Sequence, residues 1–210
     1  SGIVAQRRDS GREGEDFLQT LMDARYTSGA PLSEHEITGM LLAAMFAGHH
    51  TSSVTTAWML LELLTHPSYM RRLEDQLWQQ YGTGEDISYL SLREISLTEW
   101  GVKETLRLHP PLFMLLRAAM KDWSYGGYRI PRGTYVVSSP WVSHRISTTF
   151  KNAQVFDPDR FGPGREEDKQ SFAFISFGGG RHKCMGNAFA LLQVKTIFAI
   201  LLREFEFELV

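Results

Sequence analysis

Phe177-Gly178-Gly179-Gly180-Arg181-His182-Lys183-Cys184-Met185-Gly186 contains the one cysteine of the 210-residue chain. A glycine run precedes the sulfur and a strongly apolar, helix-forming stretch follows it, so Cys184 is expected at a helix N-terminus. Backbone N–H groups and the helix dipole favour negative charge there, and thiolate is the form of cysteine that binds metal. Glycines carry no Cβ, so a flat cofactor can lie almost against this backbone. A lone cysteine is ordinarily a small buried hydrophobe. The flanking pattern is far more specific than the cysteine itself, and it argues against that reading.

Outside this segment the composition is that of a globular chain. Its net charge is −2, with 43% hydrophobic and 22% charged residues, which is enough apolar material for a core. The balanced charge gives no reason to expect a nucleic-acid partner. A single cysteine excludes an intrachain disulfide and suits a reducing compartment. The sequence does not fix a location, and the cytoplasm is favoured because no membrane anchor is read in this segment. The longest apolar stretch, Ile37 to Leu64, is interrupted by Gly48-His49-His50-Thr51-Ser52-Ser53, which a bilayer-spanning helix tolerates poorly. It is expected to be a core helix.

Periodicity and caps place the elements. Residues 1–11 are polar and read as loop, followed by a helix over about 14–26. Ser33 and Glu36 form a capping box that starts a helix running to about Thr65, roughly 45 Å at ~1.5 Å per residue. Pro67 opens the next helix, which ends near Gly82. Ser96-Leu97-Thr98-Glu99 reads as a second capping box, and its helix must stop before Pro110-Pro111. Short strands are expected at Phe113–Met120, Trp123–Tyr125, Tyr128–Ile130 and Thr134–Ser138, with turns at Gly126-Gly127 and Pro131–Gly133. A short helix follows Pro140. Residues 147–176 read as an irregular meander carrying a solvated charge run, Arg165–Asp168. Asn187–Arg203 is the last helix, and the alternation over Glu204–Leu209 suggests an edge strand. The fold class is mainly α (α+β).

Three further clusters can carry chemistry. Glu104 and Arg107 lie at i and i+3 on one helix face, which alone suggests no more than a surface ion pair. A second arginine, Arg160, sits between aromatics in Phe156-Asp157-Pro158-Asp159-Arg160-Phe161. Phe46–Ser52 places glycine and consecutive polar residues inside the long helix, an invitation to a kink or π-bulge. Because apolar turns flank this stretch on both sides, a solvated polar stripe explains it poorly. Arg117 closes the apolar run Leu112–Leu116 and needs an anion.

The cysteine segment resembles the haem-binding loop of the cytochrome P-450 (haem-thiolate monooxygenase) family, Phe-x-x-Gly-x-Arg/His-x-Cys-x-Gly. The match is Phe177, Gly180, His182, Cys184 and Gly186. The resemblance implies that Cys184 is the axial ligand of haem b, with His182 and Arg181 beside a propionate and Arg117 contacting another. Glu104, Arg107 and Arg160 resemble the family's Glu-x-x-Arg and meander arginine, which implies a buried network behind the loop. In that network one carboxylate is shared by two guanidiniums, and its role is structural. Ala47-Gly48-His49-His50-Thr51 resembles the distal oxygen groove, where Thr51 steers protons and His50 replaces the usual acid. His182 and His50 are the variants found in sterol 14α-demethylases. Phe46, Ala47, Leu112 and Met114 would face the substrate, although plain strand core serves Leu112 and Met114 equally well. His49 is read as structural. Arg181 and Lys183 suit an acidic electron donor or are simply solvated.

The four motifs occur in family order over about residues 30 to 203. The chain therefore resembles the C-terminal part of a single P-450 domain, without its N-terminal half and terminal β hairpin, and such a piece is not expected to be competent alone. The implied activity is oxidative removal of the sterol 14α-methyl group. It would use dioxygen and reducing equivalents from a ferredoxin- or flavoprotein-type donor. The alternatives are a P-450 acting on another lipid or terpenoid, and a non-catalytic haem-binding protein, which would have no use for His50 and Thr51.

Overall fold

The structure is a computed structural model and describes residues 2–11, 14–82 and 84–209. The chain divides into two compact units, Ser1–Thr51 and Ser52–Val210. The first unit contains α1 (Gly2–Ser10), α2 (Phe17–Asp23) and the N-terminal part of α3 (Glu34–Thr65). Val4, Leu18, Leu21, Leu32 and Ile37 form its core. Residues 2–10 are helical where the sequence suggested loop, and Ser1 lies outside the described residues. A helix that buries one side chain, Val4, shows little periodicity to read. The capping box at the start of α3 forms as expected: the Glu36 N–H donates to Ser33 Oγ at 3.3 Å, and the Ser33 N–H donates to Glu36 Oε2 at 2.8 Å.

α3 runs as uninterrupted α-helix, without the π-bulge or break that Phe46–Ser52 suggested. Within this stretch Thr51 Oγ1 donates back to the Ala47 carbonyl at 2.7 Å, a local bond that leaves the ladder intact. The expectation of a core helix is only partly met. Ile37, Met59 and Leu63 are fully buried, whereas Leu42, Met45 and Phe46 are exposed. A helix that is apolar on every side cannot bury all of them against one neighbouring layer. No helix among the described residues is long and apolar enough to cross a membrane.

The second unit is built around α6 (Ser96–Leu108), which buries residues on all sides, including Thr98, Val102, Glu104, Leu106 and Arg107. α4 (Pro67–Tyr81) lays Tyr69, Leu73, Leu77 and Tyr81 into the core at intervals of four residues. It starts at Pro67 and is capped by Gly82 at φ +46°. Gly101 lets α6 approach α3, since a Cβ there would stand 2.7 Å from Met59 Cε. α8 (Asn187–Glu204) closes the core with Val194, Phe198 and Ala199.

Two corrections concern helix starts. The capping box expected at Ser96 does not form; Ile95 occupies the cap and makes no side-chain bond. A true box, Ser88 with Ser91, starts an extra helix, α5 (Tyr89–Glu94), whose serine at the third position the Glu/Gln rule does not cover. The strands are β1 (Leu115–Ala118), β2 (Trp123–Tyr125), β3 (Tyr128–Ile130) and β4 (Tyr135–Ser138). β1 pairs antiparallel with β4, placing Leu116 opposite Val137 and Arg117 opposite Val136. β2 and β3 form the expected hairpin across Gly126-Gly127, both at positive φ. α7 (Pro140–Ser143) follows β4. Residues 205–209 are not a strand: alternation marks faces but supplies no pairing partner.

Phe198 is fully buried on α8 while Ile200 on the same helix is 42% exposed. Chemical denaturation should therefore show Phe198→Ala losing about 3–5 kcal/mol and Ile200→Ala about 1 kcal/mol or less.

Candidate functional site

Cys184 is exposed on the connection into α8, three residues ahead of its first residue, Asn187. Its N–H donates to the Phe177 carbonyl at 2.7 Å and closes the segment into a loop. Gly178 makes that closure possible. Its φ is +71°, and a Cβ there would sit 2.8 Å from the His182 carbonyl oxygen. Gly180 is also at positive φ, and a Cβ on Gly186 would lie 3.9 Å from Cys184 Sγ. Phe177 packs on the main core, whereas Arg181, His182 and Lys183 are exposed. The foot of the loop is tied to α6, because Ser176 Oγ donates to the Leu106 carbonyl at 2.9 Å.

Behind this lies the ion network. Glu104, Arg107 and Arg160 are each fully buried. Arg107 clasps Glu104 with Nε at 2.7 Å and Nη2 at 2.9 Å. Its remaining donors reach the carbonyls of His144, Ala153 and Val155 at 2.8, 2.6 and 3.1 Å. All five N–H donors of this guanidinium are therefore used. Arg160 Nε is 3.0 Å from both Glu104 oxygens, and the Asp157 N–H adds a further bond to Glu104 Oε1 at 2.8 Å.

One carboxylate for two guanidiniums is not the full inventory. Arg160 Nη1 also meets Glu167 Oε2 at 2.7 Å. Arg165 bridges Glu167 and Asp157, each at 2.7 Å. Three arginines thus face three carboxylates. The run Arg165–Asp168, read as solvated, closes this network, and Asp168 pairs with Lys103 at 3.3 Å. Burial alone would push Glu167 up, but bonds from Arg165 and Arg160 bring it below the usual carboxylate value.

Other expected site residues stand apart from this cluster. Arg117 is exposed and bonds only the neighbouring Leu116 carbonyl, at 2.7 Å, so no carboxylate of the described residues supplies its anion. Leu112 and Met114 are exposed, which rules out the strand-core alternative within the described chain. In the first unit, Phe46, Ala47 and His50 are exposed along α3, with Gly48 and Thr51 half-buried.

The donor set restricts what can bind at Cys184. Among the described residues no cluster of three or more His, Cys, Asp or Glu could hold a metal ion. A structural zinc site needs four protein ligands, and Cys184 offers one. A metal held by this sulfur must bring its other ligands with it, as porphyrin iron does. Of the loop glycines, Gly180 borders open space, with nothing within 4 Å of where a Cβ would stand.

A family model described as Cytochrome P450 matches residues 3–210. The chain belongs to the cytochrome P450 family. A crystal structure of the cytochrome P450DA heme domain superposes with a TM-score of 0.92 at 26% identity, covering 98% of this chain and 46% of that one. The fold is therefore the mainly α fold of P450s, and membership implies a haem cofactor. Obtusifoliol 14-alpha demethylase of Sorghum bicolor is 46% identical over 99% of this chain and 44% of its own length. Sterol 14alpha-demethylase of Mycolicibacterium vanbaalenii is 44% identical over 94% of this chain and 44% of its own. Lanosterol 14-alpha demethylase of Rattus norvegicus is 39% identical over 99% of this chain. The chain spans less than half the length of these curated relatives.

Two features of this P450 site gave no sequence signal. One is Glu167. The other is His144, fully buried, whose Nε2 accepts the Ile175 N–H at 2.8 Å. Neither belongs to a local pattern, since each acts across a loop.

Two predictions come from this geometry. Glu104→Ala strands two buried cations and should cost about 3–5 kcal/mol in thermal or chemical unfolding. The full-length variant should also lose haem on purification, and full haem incorporation would refute the role given to Glu104. Burial pushes the His144 imidazole down from its ordinary 6.5 to about 4. The unfolded chain therefore binds a proton that the folded state refuses between those values. His144 contributes fully to stability above pH 6.5, and that contribution fades as pH falls towards 4. Its size is on the order of 3 kcal/mol. The slope of unfolding free energy against pH, compared with that of a His144→Phe variant, measures it.

Proposed function

We propose that the full protein is a sterol 14α-demethylase-like haem-thiolate monooxygenase, and that these 210 residues are the part of its P450 domain that carries the iron ligand. The observation that carries the proposal is the exposed thiol of Cys184 on a glycine-closed loop anchored to α6. Bound there, haem b would supply dioxygen activation, and a thiolate ligand favours O–O cleavage. His182 and Arg181 beside the cysteine, together with Arg117 on β1, would donate hydrogen bonds to its propionates.

The roles of the other residues follow from their chemistry. Thr51 and His50 would hold and pass protons, a hydroxyl and an imidazole being able to exchange them near neutral pH. The Thr51 hydroxyl donates to the Ala47 carbonyl at 2.7 Å, which holds it on α3 beside His50 in sequence. Phe46, Ala47, Leu112 and Met114 would offer apolar surface to a flat substrate. The sterol assignment is supported by relatives whose names specify obtusifoliol, sterol and lanosterol demethylation. Electrons would come from a ferredoxin- or flavoprotein-type donor, and exposed Arg181 and Lys183 are positive charge for an acidic one.

The complete protein, reduced and exposed to carbon monoxide, should give the absorption spectrum of thiolate-ligated haem. Cys184→Ser should abolish it. Lanosterol-like sterols should displace water from the ferric iron in a saturable titration. With such a sterol, Thr51→Ala should lower product formation at least about tenfold and divert reducing equivalents to peroxide. A normal thiolate spectrum with no response to any sterol would retain the P450 chemistry and overturn the substrate.

A further inference from the structure

We infer that His144 is a positioning residue for the cysteine loop, its Nε2 tying the segment that leads into Cys184 to the buried ion network. The inference rests on the reading of Cys184 as the haem ligand.

Four contacts form a continuous path. Arg107 Nη1 donates to the His144 carbonyl at 2.8 Å, so the network grips this residue by its backbone. The His144 ring in turn accepts the Ile175 N–H at 2.8 Å. The next residue, Ser176, holds the Leu106 carbonyl of α6 at 2.9 Å. The one after it, Phe177, offers the carbonyl that receives the Cys184 N–H at 2.7 Å. The histidine contact and the Ser176 hydroxyl fix the backbone direction of a segment whose Phe174 and Phe177 pack on the core.

The choice of side chain is itself evidence for a task. Because Nε2 accepts, the ring proton must sit on Nδ1, and that nitrogen is buried with no hydrogen-bond partner. An unpaired buried donor is costly. The ring is also plainly packed as an aromatic, stacked on Phe174 at 5.1 Å and edge-on to Phe150 at 6.0 Å. Phenylalanine would fill this place without the orphaned donor. Only an aromatic that carries an acceptor also satisfies Ile175, and the structure tolerates the orphaned Nδ1–H to keep that bond. A neutral imidazole is required, since protonated Nε2 has no lone pair to offer. Burial disfavours that protonation first, and the charges of Arg107 and Arg145 disfavour it further.

The test uses the full-length holoenzyme as wild type, His144→Phe and His144→Gln. Glutamine can place its side-chain oxygen near the position of Nε2, while phenylalanine keeps the plate and deletes the acceptor. Amide hydrogen exchange of the 173–177 segment is read alongside the ratio of thiolate to thiol ligation in the reduced, carbon-monoxide-bound spectrum. His144→Phe should speed exchange at Ile175 by about tenfold, the factor that 1.4 kcal/mol represents, and raise the thiol-ligated fraction. His144→Gln should remain close to wild type in both. If phenylalanine and glutamine behave alike, whether both harmless or both damaging, the positioning role is wrong. A wild-type protein lacking the thiolate spectrum would instead overturn the haem reading, and the exchange rates would still decide whether His144 holds Ile175.

Discussion

A carboxylate with no exposure to water sits between two guanidiniums with none, and the rest of the second unit is arranged to make that tolerable. Removing Glu104, Arg107 and Arg160 from water carries a desolvation penalty of several kcal/mol per ion. Such a penalty is recovered only where every donor and lone pair is satisfied. Arg107 meets that condition with five bonds, three of them to main-chain carbonyls of residues 144, 153 and 155. An irregular segment exposes carbonyls that no ladder satisfies. Here those carbonyls complete the arginine shells, and the arginines fix the path of a chain that has no regular structure of its own.

That exchange explains why the network is ionic. Apolar residues of similar volume would avoid the desolvation penalty, and such replacements are often neutral or stabilising. They could not, however, hold the backbone of residues 144–157 at named atoms. Hydrogen bonds from a planar guanidinium are directional, so they specify one path of the meander among many compact ones. The same logic extends outward through Glu167 and Arg165, which bring the charges to three against three. The gain lies in the position of a loop more than in stability.

How much of this was legible depended on range. The Cys184 loop could be read because its glycines answer local demands: Gly178 must adopt positive φ and leave space for the His182 carbonyl. The Ser33 box and the Gly126-Gly127 hairpin were equally plain, whereas Glu104 and Arg107, one turn apart, read by spacing alone as a surface ion pair and are fully buried. Where only a local rule was available, it misled. Ser96–Glu99 has the letters of a capping box, yet the chain enters α6 one residue earlier and leaves the serine inside the helix. Glu204–Leu209 alternates like a strand without a strand to join. Glu167 was hidden because its partners lie across turns, and a charge in the middle of a charge run looks solvated.

The long helix shows the opposite failure. Its apolar character was plain, and burial was the natural inference, yet Phe46 is 83% exposed and Met45 71%. Apolarity on all sides of a helix indicates that several faces require cover, without saying what covers each. Burial of Met59 and Leu63 accounts for one end of α3. The large exposed side chains at 42–46 instead resemble Leu112 and Met114 in the second unit, where apolar surface again stands open beside a cation, Arg117. Large apolar side chains left exposed in groups suit a surface that a ligand or a neighbouring segment covers. On the function proposed above, a flat, hydrophobic cofactor whose charge is confined to carboxylates at one edge would meet both demands at Arg117, burying apolar area and supplying the anion that the arginine lacks.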